Sequence, residues 1–312
     1  MTRAFVFPGQ GSQFLGMGKD LADAFPAARA VFEEVDDALS QKLSDIMWGE
    51  DEAALTLTEN TQPALMAVSV AVARVLDQAQ PGVIGNAKYV AGHSLGEYSA
   101  LTAAGTFTLA DAARLLKTRG QAMQKAVPVG VGAMAALLGL EMPDVNAIVS
   151  EVSGSEIVAS ANDNSFGQVV VSGHKAAVEK AIALAQAKGA KRALLLPVSA
   201  PFHCALMQPA ADVMRDALAQ VQANAPVVPL VANVTADAVT DPARIKQLLV
   251  EQVTGMVRWR ESVLFMAQQG VSETVELGAG KVLAGLTKRI DSNVTSRSIG
   301  TPADIDAFIN AL

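Results

Sequence analysis

Polar and apolar positions follow two periods along the chain, and the switches between them lay out its architecture. Residues 3–7 read as an opening strand, and helical spacing follows near residues 18–38 and 61–79. The second of these opens at Asn60 or Thr61, with Pro63 in the first turn, where a missing N–H leaves no bond unmade. Tyr89-Val90 is a short β-prone run that ends in Gly92-His93-Ser94-Leu95-Gly96, and helical spacing takes over from 97 to 104. Thr108 is placed to cap a further helix reaching about 126. Strands that alternate with helices predict an α/β fold built on a parallel sheet.

Between about 127 and 197 the rhythm changes. A strand (132–140), a helix (144–152), two short strands (157–161 and 168–172), a helix (176–188) and a strand (192–196) give the order βαββαβ. The pattern predicts an inserted ferredoxin-like small subdomain at 127–197, within a hydrolase-like large α/β catalytic subdomain made of 1–126 and 198–312. The alternating pattern resumes with helices at 205–222, 242–251, 259–269 and 282–290 and strands at 227–233 and 274–277. Ligands of such folds bind beyond the carboxyl ends of the parallel strands, here against the insert.

A strand, then Gly-x-Ser-x-Gly, then a helix is the form of a nucleophile elbow centred on Ser94. A serine hydroxyl is a weak nucleophile, so it must be lifted onto a sharp turn within reach of a base. Gly92 and Gly96 leave room for that turn. The chain has only three histidines to supply the base. His93 adjoins the serine, so its ring should point away and serve structure. His174, at a strand end before a helix of the insert, reads as a surface or capping residue. His203 follows a strand end at the return from the insert, where it can face the elbow.

Composition narrows the setting. With 51% hydrophobic and 18% charged residues the chain can bury a large core, which excludes disorder. A single cysteine, Cys204, excludes an internal disulfide framework and fits a reducing compartment. The N-terminal run and the apolar stretches at 64–73 and 127–140 are too short for a secretory core or a bilayer span, so a cytoplasmic protein with no membrane partner is expected. A net charge of −7 without a basic-aromatic stripe argues against nucleic acid. Lys188, Lys191 and Arg192, and Lys281, Lys288 and Arg289, are basic clusters that could meet an acidic partner or simply be solvated. Residues 8–13 lack the glycine spacing and the lysine of nucleotide loops, and no His/Cys/Asp set has metal-ligand spacing. No metal or other cofactor is expected.

Seven blocks then carry a resemblance over essentially the whole chain: FVFPGQGSQ (5–13), GHSLGEYSAL (92–101), TRGQAMQ (118–124), NDNSFGQVVVSG (162–173), APFHCALM (200–207), EQVTGMVRW (251–259) and ELGAGKVLAGL (276–286). In this order they resemble the malonyl-CoA:acyl carrier protein transacylases, acyltransferases that load malonyl units in fatty-acid synthesis. The resemblance implies transfer from malonyl-CoA to the phosphopantetheine thiol of holo acyl carrier protein through a malonyl-serine ester. It assigns the ester to Ser94 and the general base and acid to His203. It makes the backbone N–H groups of Gln10 and Leu95 the oxyanion donors, and the backbone carbonyl of Gln252 the group that orients His203 in place of an acid.

Arg119, which alone reads as an exposed helix arginine, becomes by resemblance the grip on the malonyl carboxylate, through the paired hydrogen bonds that a planar guanidinium offers. Phe202 matches a position where related polyketide acyltransferases pair an aromatic residue with malonyl and a smaller one with methyl-branched units. Many fatty-acid relatives carry serine there, so Phe202 is a candidate for acyl specificity or ordinary core packing. Asn162 and Asn164 either line the cleft or serve a turn. Ala279 and Phe166 replace prolines common in the family's blocks. Two other functions share parts of this pattern, a serine hydrolase and a silent carrier-binding subunit. The first has no need of a carboxylate grip, and the second none of an intact Ser94 and His203.

Overall fold

Two sheets organise the chain in the computed structural model, which describes residues 1–311. In chain order the strands are β1 (Arg3–Phe7), β2 (Tyr89–Gly92), β3 (Gly132–Leu138), β4 (Val158–Ser165), β5 (Gln168–His174), β6 (Arg192–Leu195), β7 (Leu230–Val231), β8 (Ala238–Val239), β9 (Glu273–Leu277) and β10 (Thr295–Ile299). The larger sheet has the order β10-β9-β1-β2-β7-β8. Its strands are parallel except β8, which turns back antiparallel on β7. The expected parallel sheet thus carries one antiparallel edge strand.

Strand β1 explains why the sheet sits in the middle. Its alternating residues feed two cores: Phe5 and Phe7 belong to the core that also takes Leu65 and Val68 of helix Thr58–Ala79, and Ala4 and Val6 join Trp259, Val263 and Leu283 on the other side. A sheet covered on both faces needs apolar residues along its central strands, and β1 from Ala4 onward and β2 supply them. Among the described residues no helix is long and apolar enough to cross a membrane.

Several expected elements shift for physical reasons. The helix read over 18–38 is two helices, Lys19–Ala24 and Pro26–Leu39. Phe25 between them is extended, as a residue before proline prefers to be, and Pro26 opens the second helix. Helix Thr58–Ala79 starts three residues earlier than read, which puts Pro63 inside it. The strand read over 227–233 shrinks to Leu230–Val231. Strand β10 and helix Pro302–Ile309 have no counterpart in the expected pattern. The sequence of β10, TSRSI, is too polar to stand out because it forms an edge strand.

The second sheet is antiparallel, in the order β4-β5-β3-β6. Helices Met142–Val152 and Lys175–Ala187 pack on it through Val145, Ile148, Val178 and Ala181. Strand β4 continues to Ser165, with two register shifts, so Asn162 and Asn164 lie on a strand and not at the turn read from the sequence. The extension ties the two sheets' surroundings together. Val257 N–H donates to Ala161 O and Asp163 N–H to Val257 O, each at 2.9 Å, and Arg260 grips the buried Asp163 carboxylate.

Candidate active site

The Ser94 turn is held by two glycines that interlock. A Cβ on Gly92 would lie 1.9 Å from the carbonyl carbon of Gly96, and one on Gly96 would lie 2.2 Å from Phe7 O. That contact lets helix Gly96–Ala103 start directly against the ends of β1 and β2. Ser94 at the apex has φ of 53°, a left-handed conformation that costs a non-glycine residue about 1–3 kcal/mol. Asn233 holds it there. Its Oδ1 accepts from Ser94 N–H at 2.8 Å, and its Nδ2 donates to Gly92 O at 2.7 Å.

His203 comes to Ser94 on a loop, with φ of 59°. The preceding strand is β6, the last strand of the insert and an edge of the antiparallel sheet. Nε2 lies 2.8 Å from Ser94 Oγ. Nδ1 lies 2.9 Å from Gln252 O and 3.1 Å from Gly255 O. Carbonyl oxygens only accept, so Nδ1 carries the hydrogen and Nε2 is left to receive the serine's. Both carbonyls come from the C-terminal end of helix Pro242–Thr254, whose negative dipole end favours charge on the ring. Burial, and after it the Arg119 guanidinium, push the His203 pKa down to about 3.

Arg119 is not the exposed residue its helix alone suggested: it lies on the inner face of helix Leu109–Lys125 and is 1% exposed. Nη1 donates to Gln62 Oε1 at 2.7 Å, and Nη2 donates to Gln252 Oε1 at 2.8 Å and to Ser94 Oγ at 3.1 Å. Among the described residues its buried Nε has no hydrogen-bond partner. Among the described residues no carboxylate pairs with the guanidinium directly. The nearest acidic group in the network is the buried Glu97, which accepts from the Gln252 side-chain amide and from Asn233 N–H. Burial raises Glu97 to about 8, against the opposing pull of the Gln252 and Asn233 hydrogen bonds and of Arg119.

Ser94, His203, Arg119 and Gln62 line one cavity of about 490 Å³, which Gln10, Leu95, Phe202 and Asn162 also border. Phe202 is almost fully buried at its wall. His93 turns away from Ser94, as expected, and its Nε2 meets Asn164 Oδ1 at 2.9 Å, linking the elbow to β4. His174 is the N-cap of helix Lys175–Ala187, and its ring accepts from Ile157 N–H. Of the basic clusters, Lys188 pairs with Glu151 and Arg289 donates to Gln168. Sequence reading missed Gln62, Glu97, Asn233 and the side chain of Gln252. The one legible hint was Gln62 itself, a polar residue at the head of an apolar helix.

The arrangement can pass the Ser94 proton to a correctly oriented imidazole beside a buried, unneutralised cation. Comparison with known proteins agrees with that chemistry. The acyl transferase domain family matches residues 4–298. The malonyl CoA-acyl carrier protein transacylase of Escherichia coli K12 is 48% identical over 98% of both chains. The crystal structure of an acyl-carrier-protein S-malonyltransferase from Bartonella henselae superposes with a TM-score of 0.98 at 57% identity, covering 100% of this chain and 99% of that one. A malonyl-transacylase solved with its holo type II PKS acyl-carrier protein gives a TM-score of 0.97 at 43% identity over the whole of both chains. Elbow, paired histidine and whole-length similarity together make this chain a member of the acyl transferase family, in its malonyl CoA-acyl carrier protein transacylase branch.

Proposed function

We propose that the protein transfers malonyl groups from malonyl-CoA to the phosphopantetheine thiol of holo acyl carrier protein, supplying chain elongation in fatty-acid or polyketide synthesis. The observation that carries this reading is the single contact chain Gln252–His203–Ser94–Arg119, which joins a base, a nucleophile and a carboxylate-binding cation in one cavity. In the first step His203 Nε2 takes the Ser94 proton while Oγ bonds to the thioester carbon, and the negative charge moves onto the thioester oxygen. Collapse breaks the C–S bond, and His203 returns the proton to the departing CoA sulfur. The carrier thiol then repeats the steps in reverse order on the malonyl-serine ester.

Gln10 and Leu95 are assigned the backbone N–H groups that hold the oxyanion, each such donor being worth about 2.7–4 kcal/mol. Their position on the cavity wall supports this, and so does the engagement of Ser94 N–H with Asn233, which removes it from the role. The Gln252 carbonyl orients His203. Arg119 takes the malonyl carboxylate, and Phe202 limits branching at the acyl α-carbon. The thioester supplies its own activation, so the reaction needs neither metal nor redox cofactor. The strand orders support a hydrolase-like large subdomain (1–126 and 198–312) carrying a ferredoxin-like insert (127–197) that roofs the cavity. The lone buried cysteine supports a reducing, cytoplasmic setting.

The test is acyl transfer to holo carrier by wild type and Arg119→Ala, with malonyl- and acetyl-CoA as donors. The wild type is expected to prefer malonyl, and the variant to lose that preference by about tenfold to a hundredfold, the worth of a hydrogen bond to a charged group. An unchanged preference would contradict the assignment of Arg119.

A further inference from the structure

Arg119 stands in an unusual relation to the groups it is meant to serve. Its Nη2 donates to the very hydroxyl that must attack, 3.1 Å away, and that hydroxyl is 2.8 Å from His203 Nε2. Arg119 and His203 are 1% and 4% exposed, so little water screens the cation from the ring. Glu97, which could neutralise it, is held one amide away by Gln252. When the serine proton moves to His203, the negative charge leaves Oγ for the thioester oxygen, and the new imidazolium stays beside the guanidinium. An unneutralised Arg119 therefore opposes the step.

Resting on the malonyl-transfer reading, we propose that Arg119 holds the Ser94–His203 pair back until the acyl group's own carboxylate occupies the guanidinium, so that a dicarboxylic thioester activates the serine–histidine pair that attacks it. The carboxylate then acts on the rate of acylation as well as on binding. A monocarboxylic thioester leaves the cation unpaired and the base weak. The depression of His203 by Arg119, second only to burial among its causes, is in the required direction. The other titratable groups around the ring, the guanidinium and the cavity are His93 from the elbow, Glu97 and Tyr98 from helix Gly96–Ala103, Cys204 next to His203 in the chain and Glu52 on the cavity wall. All are common to both substrates.

The direct test is an NMR titration of the His203 ring in Ser94→Ala protein saturated with malonyl-CoA or with acetyl-CoA, readily assigned in a chain with three histidines. The expected result is a midpoint about one pH unit higher with malonyl-CoA, a tenfold change in proton affinity. Equal midpoints would overturn the proposal. A second readout uses phenylmethylsulfonyl fluoride, a neutral serine reagent. Arg119→Gln should be modified at Ser94 about threefold to tenfold faster than wild type at the high-pH plateau, following Brønsted behaviour of the base. Equal or slower modification would contradict the proposal, because a cation that merely binds substrate, or that acidifies the serine, predicts those outcomes. If malonyl-CoA fails to acylate wild-type Ser94, the transfer reading falls with it. If acylation occurs and the midpoints coincide, only the gating falls.

Discussion

Ser94 and His203 share a left-handed backbone and are held there by different means. Ser94 ends a fully buried parallel strand, between two glycines in van der Waals contact with neighbouring backbone, and Asn233 bonds both sides of its turn. His203 rides a loop leaving the edge of the other sheet, and its ring is aimed by two carbonyls at the end of a distant helix. The proposed nucleophile is thus built into the sheet, whereas the proposed base is delivered to it from the junction between the two sheets. The cavity wall beside the second region also carries Phe202.

The largest effect that would sharpen this contrast is on the elbow. Gly92→Ala puts a methyl group into the Gly96 backbone, and no flexible side chain can yield. A stability loss of about 3 kcal/mol or more is expected, at or above the upper range for overpacking, read as a collapse of the thermal transition. Next, His203→Ala should leave that transition nearly unmoved while slowing acylation about 10²–10⁴-fold, the usual share of a general base, in rapid-quench assays. A comparable loss of fold in both variants would erase the distinction drawn here.

Smaller still is the response of the wall beside His203. Phe202→Ser should raise kcat/KM for methylmalonyl-CoA about tenfold or more relative to malonyl-CoA, within the range that one methyl group commands in a pocket. No relative gain would return Phe202 to plain packing.

The smallest effect concerns Glu97, beneath the elbow. Its folded pKa of about 8 lies above its ordinary 4.5, so between those values the folded state binds more protons than the unfolded one. Its contribution to stability is complete below 4.5 and is lost as pH rises toward 8. Urea midpoints should therefore fall less over that window in Glu97→Gln than in wild type. His203, depressed in the folded state, gives the opposite slope below 6.5, but it does so in both proteins and cancels in the difference.

What could be read from the chain follows the same division. The elbow was legible because its causes are local: a strand, two glycines, a serine and a helix start within a few residues. The alternation of helices and strands was legible for the same reason. Arg119 read alone as exposed, because nothing within its own helix reports that Gln62 and Gln252 converge on it from two other helices. Glu97 and Asn233 were silent, since their work is hydrogen bonding across more than 130 residues of chain. Strand β10 hid behind its polar edge residues, and β4 looked short because its outer half pairs with loop residue Val257 as well as with β5.

The central claim is that the Ser94 hydroxyl, in contact with His203, becomes esterified by malonyl. Intact-mass measurement after brief exposure to malonyl-CoA tests it most directly, with holo carrier protein added afterwards. The account predicts one malonyl adduct on wild type, none on Ser94→Ala, and passage of the adduct to the carrier. An adduct that persists on Ser94→Ala, or wild-type protein that stays unmodified while transfer proceeds, would contradict it.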